Sequence, residues 1–167
     1  MGKRYPALLL AAICTAVGLA AQAIDPAPEK APFCLWGGMQ LGGYGDEMAA
    51  IELSLSTQFS RAGYASAYCL WGSVPFSAGD SLSEYGFMIG RCVRSRGAFA
   101  GAAAGLCIVS GWMGPRYSRQ AGVGIPLKLE GSLIIGGFMA LNLQLRAMAW
   151  KHTHAGISLG IQLGKMR

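Results

Sequence analysis

The chain has 167 residues, room for one modest domain. Only 13% are charged and 53% are hydrophobic, too few charges for an ordinary wetted surface and far too much apolar content for a disordered chain. The formal net charge of +6 is scattered rather than gathered in a stripe, which points away from nucleic acid.

Lys3 and Arg4 precede an apolar run over 7–21 that closes on Ala21-Gln22-Ala23. A basic start, an apolar stretch and a small-x-small end read as a secretory signal peptide over 1–23, cleaved after Ala23. The run is short for a membrane-spanning helix, which needs about 20 apolar residues. Cys14 follows Ile13 rather than a small residue, so it does not fit a lipid-attachment site. Residues 24–32 form a short Pro/Ala-rich linker, and 33–167 remain for the folded domain. Export would put Cys34, Cys69, Cys92 and Cys107 in an oxidising compartment. Their spacings match no metal motif and three lie within apolar runs, so buried or lipid-facing thiols are favoured over disulfides.

From residue 33 onward the dominant signal has a period of two. Segment 33–43 sets Phe33, Leu35, Met39 and Leu41 against Cys34, Trp36, Gly38 and Gln40. Segment 49–60 sets Ile51, Leu53, Leu55 and Phe59 against Glu52, Ser54, Ser56 and Gln58. Segments 64–71 and 97–112 are apolar or small on both faces and cannot be oriented. In 83–94, Tyr85, Phe87, Ile89 and Val93 share a face with Arg91, a conflict that a bulge at Gly90 would remove. Alternation returns with Val123, Ile125, Leu127, Leu129 and Leu133 against Gly124, Pro126, Lys128, Glu130 and Ser132. It continues with Met139, Leu141, Leu143 and Leu145 against Asn142, Gln144 and Arg146, and ends with Ile157, Leu159, Ile161 and Leu163 against Gly156, Ser158, Gly160 and Gln162. A helix would mix these sets on every face, whereas a strand separates them. The connections 44–48, 61–63, 72–82, 95–96, 113–120, 136–137 and 151–155 alternate longer and shorter, as in a barrel with tight turns at one end and larger loops at the other.

The sequence therefore predicts an all-β domain, an eight-stranded antiparallel up-and-down transmembrane β-barrel behind an N-terminal signal peptide. The set opposite the large aliphatics is small and polar, which suits a narrow interior; the aliphatic set must then meet lipid, since so large an apolar girdle would aggregate in water. The alternative, a soluble periplasmic ligand-binding barrel, would turn the aliphatics inward. Interior Glu52, Arg94, Lys128, Glu130 and Arg146 are expected to pair as a polar network, because isolated buried charges are costly. A second alternative takes the small residues spaced through 97–105 as a helix-packing pattern and makes 97–113 and 131–150 two inner-membrane helices. The alternation of Asn142, Gln144 and Arg146 argues against it.

On this pattern and on the glycine-rich closing strand Gly156-Ile157-Ser158-Leu159-Gly160-Ile161-Gln162-Leu163-Gly164-Lys165, the chain resembles the small eight-stranded outer-membrane barrels of Gram-negative bacteria. The resemblance implies residence in the outer membrane, contact with its lipid and delivery by the barrel-insertion machinery. Such barrels commonly end on an aromatic residue, whereas this chain ends Lys165-Met166-Arg167.

Candidate chemistry is sparse. His152 and His154 have no neighbouring carboxylate or cysteine in sequence to complete a metal shell. Their segment is superficially similar to the histidine stretch of outer-membrane lipid A deacylases. However, His154 stands where the serine is expected, and no acidic residue follows Glu130 to orient the base. Neither a catalytic set nor a cofactor is predicted. Trp36, Tyr44, Tyr64, Trp71, Tyr85, Trp112 and Trp150 lie near segment ends, where an interfacial aromatic belt would place them. Arg116, Arg119 and Lys151 are candidates for contact with lipopolysaccharide phosphates. The functional expectation is a non-enzymatic structural or surface-interaction barrel presenting loops 72–82, 113–120 and 151–155, with a lipid-modifying barrel enzyme as the alternative.

Overall fold

The structure, a computed structural model, describes residues 34–45, 48–75, 81–95, 97–113, 118–150 and 154–165. The expected leader and linker, 1–32, lie outside the described residues. Eight strands follow one another: β1 Cys34–Tyr44, β2 Met48–Gln58, β3 Gly63–Ser73, β4 Ser81–Arg94, β5 Ala98–Met113, β6 Ser118–Ile135, β7 Met139–Ala149 and β8 His154–Lys165. Each pairs antiparallel with its neighbours in sequence, and β8 closes on β1. Segments 97–113 and 131–150, which the inner-membrane alternative made helical, are strand over most of their length.

The register fixes the shape. A path along directly paired residues runs Cys34, Gln58, Tyr64, Gly90, Ala103, Lys128, Arg146, Gly156 and back to β1 at Tyr44. One circuit thus returns ten residues further along β1, and with eight strands this stagger tilts them by roughly 40°. The lumen is correspondingly narrow and must be filled by side chains. Close packing there depends on strand glycines: a Cβ at Gly86 would lie 2.6 Å from the Tyr68 hydroxyl, and one at Gly90 2.7 Å from the Tyr64 ring. At the β6–β7 turn, Gly136 and Gly137 both adopt positive φ, at 66° and 92°. The reversal takes three residues, 136–138, and two successive positive φ angles strongly favour glycine.

Parity decides what faces out. Leu141, Leu143, Leu159 and Ile161 are 50, 46, 66 and 44% exposed, while Asn142, Gln144, Ser158 and Gln162 between and beside them are buried. Among the described side chains, the outward face carries no charge through its middle. Its charged groups are Arg91, Lys165 and, in the β2–β3 turn, Arg61, all near the end where the chain termini lie. This apolar wall crosses a membrane, and closure of the ladder leaves no strand edge unpaired in hydrocarbon.

Three expectations are corrected. No bulge forms at Gly90: β4 pairs without interruption with both β3 and β5, and Arg91 stays outward and exposed. It is tolerated there because it lies opposite Gly63, the first residue of β3, close enough to the rim for its long side chain to reach the headgroups. The loop asymmetry is smaller than expected. Pairing continues to Met113 opposite Ser118, so half of the loop expected over 113–120 becomes ladder, and likewise 72–73, 81–82 and 154–155 belong to strands. Finally, Trp36, Tyr44 and Tyr64 are not belt residues but lumenal ones, each under 5% exposed. Trp71 and Tyr85 do face outward, joined by a 3.2 Å hydrogen bond from the indole N–H to the phenol.

If the wall meets lipid, a charge at its middle is costly. Leu159→Arg should destabilise the barrel by about 2–4 kcal/mol, read from urea unfolding in lipid vesicles, whereas Leu159→Val should be close to neutral. Equal stability of both variants would contradict the outward orientation.

Candidate functional site

The lumen is the most elaborate polar feature of the molecule. At its centre, Arg146 of β7 is buried among groups from three other strands. Its Nη1 donates to Glu52 Oε2 of β2 at 2.6 Å and its Nη2 to Glu84 Oε2 of β4 at 2.5 Å. Its guanidinium carbon lies 3.9 Å from the centre of the Tyr68 ring, a cation–π contact in a desolvated setting. Gln144 Nε2 donates to the same Glu52 oxygen at 2.8 Å. Towards the rim away from the termini, His154 Nε2 lies 3.1 Å from Glu84 Oε1, and Tyr44 meets the imidazole edge-on.

A second cluster sits nearer the termini. Lys128 Nζ and Glu130 Oε1 are 3.0 Å apart. Gln162 and Asn142 donate to Glu130 Oε2 at 3.2 and 3.4 Å, and Ser132 joins them by accepting from Asn142 and donating to Gln162. Register explains why the cations separate. Lys128 lies directly opposite Arg146, and like charges so placed repel. Lys128 turns to the carboxylate two residues along its own strand, while Arg146 reaches across the lumen.

Below this cluster the lumen is plugged by three aromatic rings. Trp36 meets Phe99 edge-on at 5.5 Å between centroids, Tyr64 meets Phe99 at 5.7 Å, and Trp36 stacks on Tyr64 at 6.3 Å. Arg94 lies at the mouth beneath, donating to Cys34 Sγ at 2.7 Å and to the Gln58 carbonyl at 3.3 Å.

Of the five charged residues expected inside, four are therefore gathered into two clusters, and Arg94 stands apart from both, without a carboxylate partner among the described residues. Sequence reasoning does not single out Glu84, and it weighs His154 only as a metal or hydrolase candidate without finding its carboxylate partner. The parity of β4 carries the signal for Glu84, since it alternates with Ser83 and Tyr85; His154, expected in the connection 151–155, opens β8. The objection that no carboxylate follows Glu130 concerned order along the chain. Folding brings Glu84 to His154 from 70 residues upstream. Arg116 and Lys151 lie outside the described residues, as does His152, and Arg119 is placed only by its backbone, opposite Trp112. The four described cysteines are free thiols; Cys34, Cys92 and Cys107 face inward and Cys69 outward.

No family model and no curated protein matches this sequence. Solved structures do. The N-terminal β-barrel domain of Pseudomonas aeruginosa OprF superposes with a TM-score of 0.64 at 8% identity, covering 78% of this chain and 96% of that one. Neisserial surface protein A gives 0.59 at 11% identity, with the same coverage of each chain. The outer membrane enzyme PagL gives 0.55 at 10%, covering 77% of this chain and 98% of that one. The architecture is thus that of the small eight-stranded outer-membrane β-barrels. With an outward face that carries no charge through its middle among the described side chains, the chain is a barrel of the outer membrane.

Removing only the central cation should be worse than removing the whole cluster. Arg146→Met strands two buried carboxylates and should cost about 3–5 kcal/mol. Adding Glu52→Gln and Glu84→Gln should restore most of that loss. Urea titration of the refolded barrel in vesicles reads both, and a triple variant less stable than the single one would refute this account of the cluster.

Proposed function

We propose that this protein is a non-enzymatic barrel of structural or surface-interaction type. A signal peptide over 1–23 exports it, the insertion machinery assembles it, and the connections β3–β4, β5–β6 and β7–β8 are presented outside. The observation that carries the reading is the filled lumen. Arg146 and its two carboxylates span the middle, the Lys128–Glu130 cluster lies below them, and the three rings of Trp36, Tyr64 and Phe99 plug the end near the termini. The described side chains thus fill the lumen from its middle to the end near the termini, so the barrel serves as an anchor for what it displays. With eight strands both termini lie at one rim, the periplasmic one by the usual arrangement of these barrels. The opposite rim is not level: β5 and β6, at 16 and 18 residues, outreach the 11 of β1 and β2. By sequence, Arg116 falls in the β5–β6 connection, Arg119 near the start of β6 and Lys151 in the β7–β8 connection, and these three are the residues we assign to lipopolysaccharide phosphates.

The runner-up, a lipid-modifying enzyme, gains from one observation, the His154–Glu84 pair on a fold shared with PagL. Both side chains point into the lumen, however, and an acyl substrate would approach from the lipid-facing side. Three measurements decide between the readings. The purified barrel should give no steady conductance in planar bilayers. A cysteine introduced at Arg116 should label with an impermeant maleimide on intact cells. Lipid A profiles should be the same with wild type and His154→Ala. A lipid A change that depends on His154 would overturn the proposal in favour of the enzyme.

A further inference from the structure

Arg94 is the lumenal cation that the ionic clusters leave out, and its surroundings are unlike theirs. It borders a small cavity at the mouth near the termini, lined also by Trp36, Phe99, Ser132, Ile134 and Gln162 and holding about 10 Å³. That is space for roughly one water-sized group. The acceptors around it are already engaged: Gln162 Oε1 takes the Ser132 hydroxyl, and Ser132 Oγ takes the Asn142 amide. Gln162 Nε2 is likewise directed to Glu130. Two donors remain. The indole N–H of Trp36, a residue 4% exposed, and Arg94 Nη2 are both buried and have no acceptor among the described residues.

We infer that this mouth is a carboxylate-binding site, in which one carboxylate oxygen accepts from Arg94 Nη2 and from the Trp36 indole. A neutral water in the same place would satisfy the two donors but leave the guanidinium charge unbalanced, whereas an anionic oxygen satisfies the donors and balances the charge together. A guanidinium whose partners are a thiol and an amide carbonyl carries uncompensated charge, and hydrogen bonds to a charged acceptor are about twice as strong as neutral ones. The cavity admits a single oxygen, so the rest of the ligand would lie outside the mouth. Two sources share this chemistry: a free carboxylate of the periplasm, or the chain's own Asp25 or Glu29, which precede Cys34 by nine and five residues. The inference stands independently of the surface role proposed above.

The test uses the mature chain in detergent micelles and follows the Trp36 indole resonance by nitrogen–proton correlation, assigned through its loss in Trp36→Phe. Sodium acetate, added at constant ionic strength, should move that peak if the site is open to free carboxylates. If the upstream residues fill it, Asp25→Asn with Glu29→Gln should move the peak, and acetate should then act on that variant. Arg94→Gln should abolish the response. Arg94→Lys, which keeps the charge but loses the planar fork, should weaken it several-fold in a barrel that still folds. A Trp36 peak unmoved in every arm, or moved as far by chloride as by acetate, would overturn the inference.

Discussion

Hydrocarbon offers no partner to a peptide N–H or C=O, and every other property of this molecule follows from that constraint. A sheet satisfies it only by closing on itself, and closure through the β1–β8 pairing makes an inside and an outside that alternate residue by residue. Once the wall must be apolar, each strand is committed to placing its remaining side chains in a narrow lumen. The stagger of ten residues per circuit then decides which of them meet.

The lumen is consequently the place where chemistry concentrates. Its charges are costly there, and they are held by partners contributed from distant strands: Arg146 of β7 by Glu52 of β2 and Glu84 of β4, Gln162 of β8 by Glu130 of β6. Such ties couple strands that are not neighbours in the sheet and so define one register, because a slip of one residue would carry the whole polar set of a strand into lipid. Tyr64 and Tyr68 extend into space that Gly90 and Gly86 leave free, which joins the glycine content to the polar network as one packing solution. The likeness to OprF, surface protein A and PagL at about a tenth identity fits a wall that any alternating sequence can build. Function has to be sought in the lumen and the connections.

Position along the barrel axis matters as much as inside or outside. Arg91 shows it: parity places a cation on the lipid face, and a bulge would have been needed to rescue it in mid-membrane. Near the rim none is needed, since the side chain reaches the headgroup layer. The same argument separates Trp71 and Tyr85, outward and hydrogen-bonded to each other, from Trp36 and Tyr64, which sit near strand ends in sequence yet face the lumen.

The sequence by itself determined the number of strands, their approximate limits and the face that meets lipid, because parity is a local property that survives without knowledge of partners. It also determined that Glu52, Lys128, Glu130 and Arg146 lie inside. Tertiary structure alone decided who meets whom. Glu84 and His154 are 70 residues apart and adjoin only because closure and stagger bring β8 opposite β4 across the lumen. Arg94 has the same parity as the paired charges, and only the height at which it enters the barrel leaves it at the mouth, beyond the reach of any carboxylate among the described residues.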